Sequence, residues 1–130
     1  MLYTSYLDRL DELPDDSIKI IVMRYYPTNI NVLKYNKLYF DNTLAPSKEI
    51  LDKYNDSKKT INDWRVFESK FNEELKTRKD LILSINKLVK LLKMNKDIYL
   101  ICHEYNGMFC HRQLIAKYIQ KHYNLVWKEF

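Results

Sequence analysis

The chain has 130 residues, 46% hydrophobic and 30% charged, with a net charge of +5 at neutral pH. That length suits one domain spanning 1–130 with one core, no run of about 18 apolar residues offers a membrane span, and the positive balance favours anionic partners: a small anionic molecule or nucleotide, with nucleic acid as a further partner. The single glycine, Gly107, excludes the Gly-rich phosphate cradles, none of which can be written with one Gly.

The opening MLYTSYLDRLDELPDD is acidic and lacks the basic-then-apolar pattern of a signal peptide, so a cytoplasmic location is expected. Cys102 and Cys110 then read as reduced thiols rather than a disulfide framework. LYTSY, residues 2–6, is short and β-prone. Asp8–Asp16 is a polar connection with room for a short helical turn, closed by Pro14. Ser17–Tyr26 is a near-continuous apolar run with β-branched residues, the mark of a strand buried on both faces; Pro27 stops it. Leu38–Phe40 forms a short extended piece within an otherwise irregular stretch.

Three helices follow. Ser47 can cap the first, with Ile50, Leu51 and Tyr54 on one face. Thr60 can cap the second, and Asp63 three residues on imitates a capping box. Ile61, Trp64, Phe67, Phe71 and Leu75 recur there at steps of three and four, a strongly amphipathic pattern. The third runs from about Lys79 to Met94, with Ile82, Ile85, Leu88, Val89 and Leu92 inward. Asp97–His103 is a second buried strand. Tyr105–Phe109 is a loop, Cys110–His122 a helix, and Leu125–Phe130 holds a last short strand. This order points to a small α/β sandwich with a short, largely parallel sheet.

The chemistry concentrates in IYLICHEYNGMFCHRQLIAKYI, residues 98–119. In open α/β folds, ligands sit beyond the carboxyl ends of the strands. A helix start there adds N–H groups and a positive dipole end, which makes an anion site without a Gly-rich loop. Cys110 at that start, beside His111 and Arg112, is expected to have a lowered thiol pKa and to be a nucleophile. It is also readable as a structural residue. Arg112 in a first helical turn opposes the dipole, so it needs an anionic ligand or an internal partner such as Glu104. His111 and Glu104 are candidate proton carriers. Cys102 reads as a small core residue or a ligand contact. No cofactor motif is present. The spacing C-x7-C-H does not match structural zinc sites, so no metal is expected. Asn106-Gly107 is a tight-turn signal aiming Cys110 and Arg112 back at the strand end.

These residues carry a resemblance. The TSY opening, the LAPS helix followed by a W-x-x-F helix, and the C-x-E…CHR block are similar to the small bacterial and phage domain-of-unknown-function family 488 (DUF488). The resemblance implies a three-layer, Rossmann-like α/β fold and marks Thr4, Ser5, Tyr6, Cys102, Glu104, Cys110, His111 and Arg112. It names no reaction. If phage-encoded, the chain would work in a host cytoplasm.

Two functions are expected as rivals. The first is a nucleotide or nucleic-acid enzyme, with Cys110, His111 and Glu104 catalytic and Arg112, Ser5, Tyr6 and Cys102 holding the ligand. The second is a non-catalytic binding protein that sequesters a nucleotide or binds a host protein through residues such as Tyr25 and Tyr26. A duller alternative makes 102–112 a purely structural turn.

Overall fold

A computed structural model describes residues 1–103 and 109–130. Five strands form one sheet: β1 (Leu2–Tyr6), β2 (Ile18–Ile21), β3 (Leu38–Phe40), β4 (Ile98–Cys102) and β5 (Trp127–Glu129). Their order is β3-β2-β4-β1-β5 and every pairing is parallel. The helices are α1 (Lys48–Asn55), α2 (Ile61–Thr77), α3 (Lys79–Lys93) and α4 (His111–Tyr123). This is the expected small α/β sandwich, and its sheet is parallel throughout.

The helices form where the sequence pattern predicts them. Thr60 Oγ1 accepts from the Asp63 N–H at 3.2 Å, and the Thr60 N–H donates back to the Asp63 carboxylate at 3.0 Å. That capping box satisfies donors a helix start would otherwise leave bare. Trp64, Phe67, Phe71 and Leu75 of α2 and Leu81, Ile85, Leu88, Val89 and Leu92 of α3 are buried. Each such side chain contributes roughly 1.5–3 kcal/mol when fully removed from water. Ile61 stays half-exposed at the α2 start. Helix α4 ends at Asn124, which adopts the left-handed conformation that closes helices.

The two faces of the sheet are covered differently. Leu2, Ile20, Ile98, Leu100 and Cys102 pack with α2, α3 and α4. On the other face, Ile21, Tyr99 and Ile101 pack with Leu10 of a 3-10 segment (Leu7–Glu12), with Leu13 just past it, and with Met23, Ile30 and Tyr35. Among the described residues no α-helix contributes to that second cluster, so the third layer is thin.

Strand β2 is shorter than the run Ser17–Tyr26 predicts. Its partner β3 reaches only from Leu38 to Phe40, opposite Lys19 to Ile21. Beyond that, Arg24 turns away to donate to the Pro46 and Ala45 carbonyls at 2.7 and 3.4 Å. Arg78 donates to the Ala45 and Thr43 carbonyls, and Glu74 accepts the Ser47 N–H. The LAPS segment is thus clamped by side chains from the β2 exit and the α2–α3 junction. Ser47 makes no side-chain cap. Its backbone N–H donates to the Glu74 carboxylate instead.

Candidate active site at the carboxyl edge of the sheet

The connection leaving β2 runs outward to β3, and the one leaving β4 runs the opposite way, through α4 to β5. Neighbouring strands whose connections part in this way open a crevice at their carboxyl ends. Val22, just past β2, and Cys102, the last residue of β4, stand at that point. Cys110 caps α4 with extended backbone and no side-chain cap bond. His111 and Arg112 begin the helix proper.

His111 is held by its backbone and by its ring. Its Nε2–H donates to the Val22 carbonyl at 2.6 Å. A carbonyl can only accept, so this bond leaves Nδ1 as the ring's lone-pair nitrogen. Nδ1 lies 3.9 Å from Cys110 Sγ and 3.7 Å from Cys102 Sγ. Phe71 meets the ring edge-on. Both cysteines are buried free thiols.

The expected lowering of the Cys110 thiol pKa is corrected by this geometry. Burial pushes it well above the ordinary thiol value, and the neighbouring Cys102 adds to the rise. His111 acts the other way without prevailing. A helix start and neighbouring cations favour a thiolate, but in these dry surroundings its desolvation outweighs them.

Arg112 is completely buried. The internal partner shown is Glu129 of β5, whose carboxylate takes the guanidinium through Nε at 3.3 Å and Nη2 at 3.0 Å. The Thr4 hydroxyl donates to the same carboxylate. Burial works against the charge, but the Glu129 hydrogen bonds and the nearby thiols more than offset it, so the guanidinium stays ionised. Cys102, Cys110, His111 and Arg112 are therefore brought together. Tyr6 is in register with Cys102 at the ends of adjacent strands.

Ser5 is not part of this group. It sits opposite Ile101, on the alternate face of the sheet. Its buried hydroxyl has no hydrogen-bond partner among the described residues. Glu104 and the Asn106-Gly107 turn lie outside the described residues. On the Ser5 side a cleft of about 310 Å3 opens among Leu7, Asp8, Met23, Tyr25, Tyr26 and His103. Met23 and His103 directly follow Val22 and Cys102, so cleft and thiol cluster share the same two stretches of backbone.

The sequence reading missed Glu129 and the Val22 carbonyl. Nothing local announces either, because one lies 17 residues from Arg112 and the other 89 from His111. A family model described as the active DUF488-N3 subclade matches residues 2–123. The chain belongs to the DUF488 family. The C-x-E…CHR block that carries the resemblance therefore brackets the carboxyl edge described above. No curated protein and no solved structure matches the chain.

Proposed function

We propose that this DUF488 protein is an enzyme of nucleotide or nucleic-acid chemistry whose reacting group is the Cys110 thiol. One observation carries the reading: the His111 ring, oriented by its Nε2–H bond to Val22, sets Nδ1 3.9 Å from the Cys110 thiol. Nucleophile, base and orienting acceptor in that order are the parts of an activated thiol. The subclade's description as active agrees with it.

In the proposed step, the Cys110 proton passes to His111 Nδ1 as sulfur bonds to the electrophilic centre of the substrate. The leaving group departs with the bonding pair and takes that proton back from the imidazolium. Water then releases the group held on sulfur and restores the thiol. Arg112, braced by Glu129, lies close enough to favour negative charge on sulfur. It acts as a fixed charge within the fold rather than as a surface dock for phosphate. The base of the ligand stacks on Tyr25 and Tyr26 in the adjoining cleft. The net charge of +5 draws anionic ligands in. Among the described residues no helix is long and apolar enough to cross a membrane, and the proposed setting is the cytoplasm.

The test is turnover on a panel of nucleoside mono-, di- and triphosphates, dinucleotides and single-stranded oligonucleotides. Cys110→Ala is expected to abolish it, and His111→Ala to slow it by about a hundredfold or more. Undiminished turnover in both variants would sink the reading. The second reading is sequestration, favoured by the raised Cys110 pKa and the half-exposed Tyr25 and Tyr26. It predicts panel binding that needs both tyrosines, ignores Cys110→Ala and yields no product.

A further inference from the structure

We infer that Cys102, Cys110 and His111 form a binding site for a divalent transition metal of the zinc class. Their ligand atoms all lie within 4.8 Å of one another, and all three residues are buried. A tetrahedral zinc, with Zn–S of about 2.3 Å and Zn–N of about 2.0–2.1 Å, sets sulfur and nitrogen ligands about 3.5–3.6 Å apart. The distances from His111 Nδ1 to the two sulfurs are 3.7 and 3.9 Å. Each of these two sulfur–nitrogen distances thus exceeds the tetrahedral value by only a few tenths of an ångström.

A second observation points the same way. Metal-bound histidines donate their other ring N–H to a carbonyl or carboxylate, which fixes the tautomer and frees one nitrogen for the metal. The Nε2–H bond to Val22 at 2.6 Å does this. Cys102 Sγ stands 3.5 Å from Nε2 as well as 3.7 Å from Nδ1, beside the ring rather than on the Nδ1 lone pair. Binding would therefore require the Cys102 side chain to turn its sulfur toward the metal.

The chemistry of the donors selects the ion. Two thiolates and an imidazole favour zinc and its softer neighbours over magnesium or calcium. Two thiolates cancel a 2+ charge, and among the described residues Glu129 offsets Arg112. The described residues supply three ligands, and three protein ligands with one position left for water or substrate are the pattern of reactive rather than structural zinc. The spacing C-x7-C-H conceals the set because its ligands come from two elements, the end of β4 and the start of α4.

This deepens the thiol reading, and rests on it for what the metal does in the reaction. Coordination deprotonates a thiol outright. With Nδ1 on the metal, the ion would take over from His111 the activation that burial withholds from Cys110.

The experiment titrates the reduced, chelator-stripped full chain with Co2+ and then Zn2+. About one equivalent of Co2+ should give an intense thiolate-to-cobalt charge-transfer band with the visible bands of a tetrahedral site, and Zn2+ should erase both. Cys102→Ser, Cys110→Ser and His111→Gln should each weaken binding by a hundredfold or so. Alkylation of the unmutated chain avoids any folding defect of the variants: Zn2+ should protect both thiols, and chelator should restore labelling. Absence of the charge-transfer band, its persistence in both cysteine variants, or thiols unprotected by Zn2+ would each overturn the site. Metal bound while turnover ignores Cys110 defeats the enzyme reading and leaves the site standing. Cys110-dependent turnover by a chain that takes up no metal does the reverse.

Discussion

The two ends of the sheet each bury a cation, and they neutralise it differently. At the amino end, Lys19 of β2 is 1% exposed and donates to the Asp15, Ser17 and Asn36 carbonyls at 3.1, 2.9 and 2.9 Å. Its three protons are all spent on neutral acceptors. Burial lowers its pKa, with Asp15 and Asp16 partly offsetting the effect. At the carboxyl end, Arg112 receives a full carboxylate from Glu129, with two thiols and an imidazole close by. The first arrangement is complete in itself and offers no atom that could react. The second gathers groups that can change charge. A buried cation is therefore no mark of a site; what surrounds it is.

The comparison can be broken from the carboxyl end first. Glu129→Ala removes the carboxylate from a fully buried guanidinium, and its expected cost is about 3–5 kcal/mol by urea unfolding. The double variant Arg112→Met with Glu129→Leu should recover most of that loss. A cost under about 1 kcal/mol for the single variant would mean the ion pair does not hold this edge. At the amino end, Lys19→Met keeps the apolar stem and deprives three carbonyls of their donor. The expected loss is about 1–3 kcal/mol, and a neutral result would show that those carbonyls find water instead.

A pH series sharpens the contrast further. Burial raises the Cys110 thiol pKa, so the fold keeps a proton that the unfolded chain releases. The resulting stability is fully present below the ordinary thiol value of about 8.5 and is lost as pH climbs above it. Unfolding free energies of the metal-free chain and of Cys110→Ser, compared from about pH 7 to about pH 10, should diverge only in the upper part. Parallel curves would contradict the raised pKa. The smallest effect is away from both ends. Thr60→Ala should cost about 1 kcal/mol through the lost α2 cap, detectable as a lower melting temperature.

Much of this architecture was readable residue by residue. The Thr60–Asp63 cap and the aromatic stripe of α2 are local signals, and local geometry honours them. The crowding of Cys102, Cys110, His111 and Arg112 followed from placing a helix start beyond a buried strand. What escaped depends on long-range closure. Glu129 meets Arg112 only because β5 docks beside β1, with Thr4 and Glu129 in register. Lys19 did leave a trace: a lysine inside IKII is out of place in a strand buried on both faces. The thiol pKa was misjudged because charge can be counted along a sequence and dryness cannot. Likewise, ligand spacing works for metal sites built within one hairpin and fails for one shared by a strand end and a helix start.

The bond between Arg112 and Glu129 also imposes an order on synthesis. Arg112 is made 17 residues before Glu129, so the guanidinium exists before its carboxylate does. The carboxyl edge can take its final shape only after Glu129 has been translated and β5 has docked against β1. At the amino end Asp15 and Ser17 precede Lys19, while Asn36 follows it by the same 17 residues that part Glu129 from Arg112. Each cation thus waits on a partner made 17 residues later, and the inert arrangement has all its parts once Asn36 is made, long before Glu129 completes the reactive one.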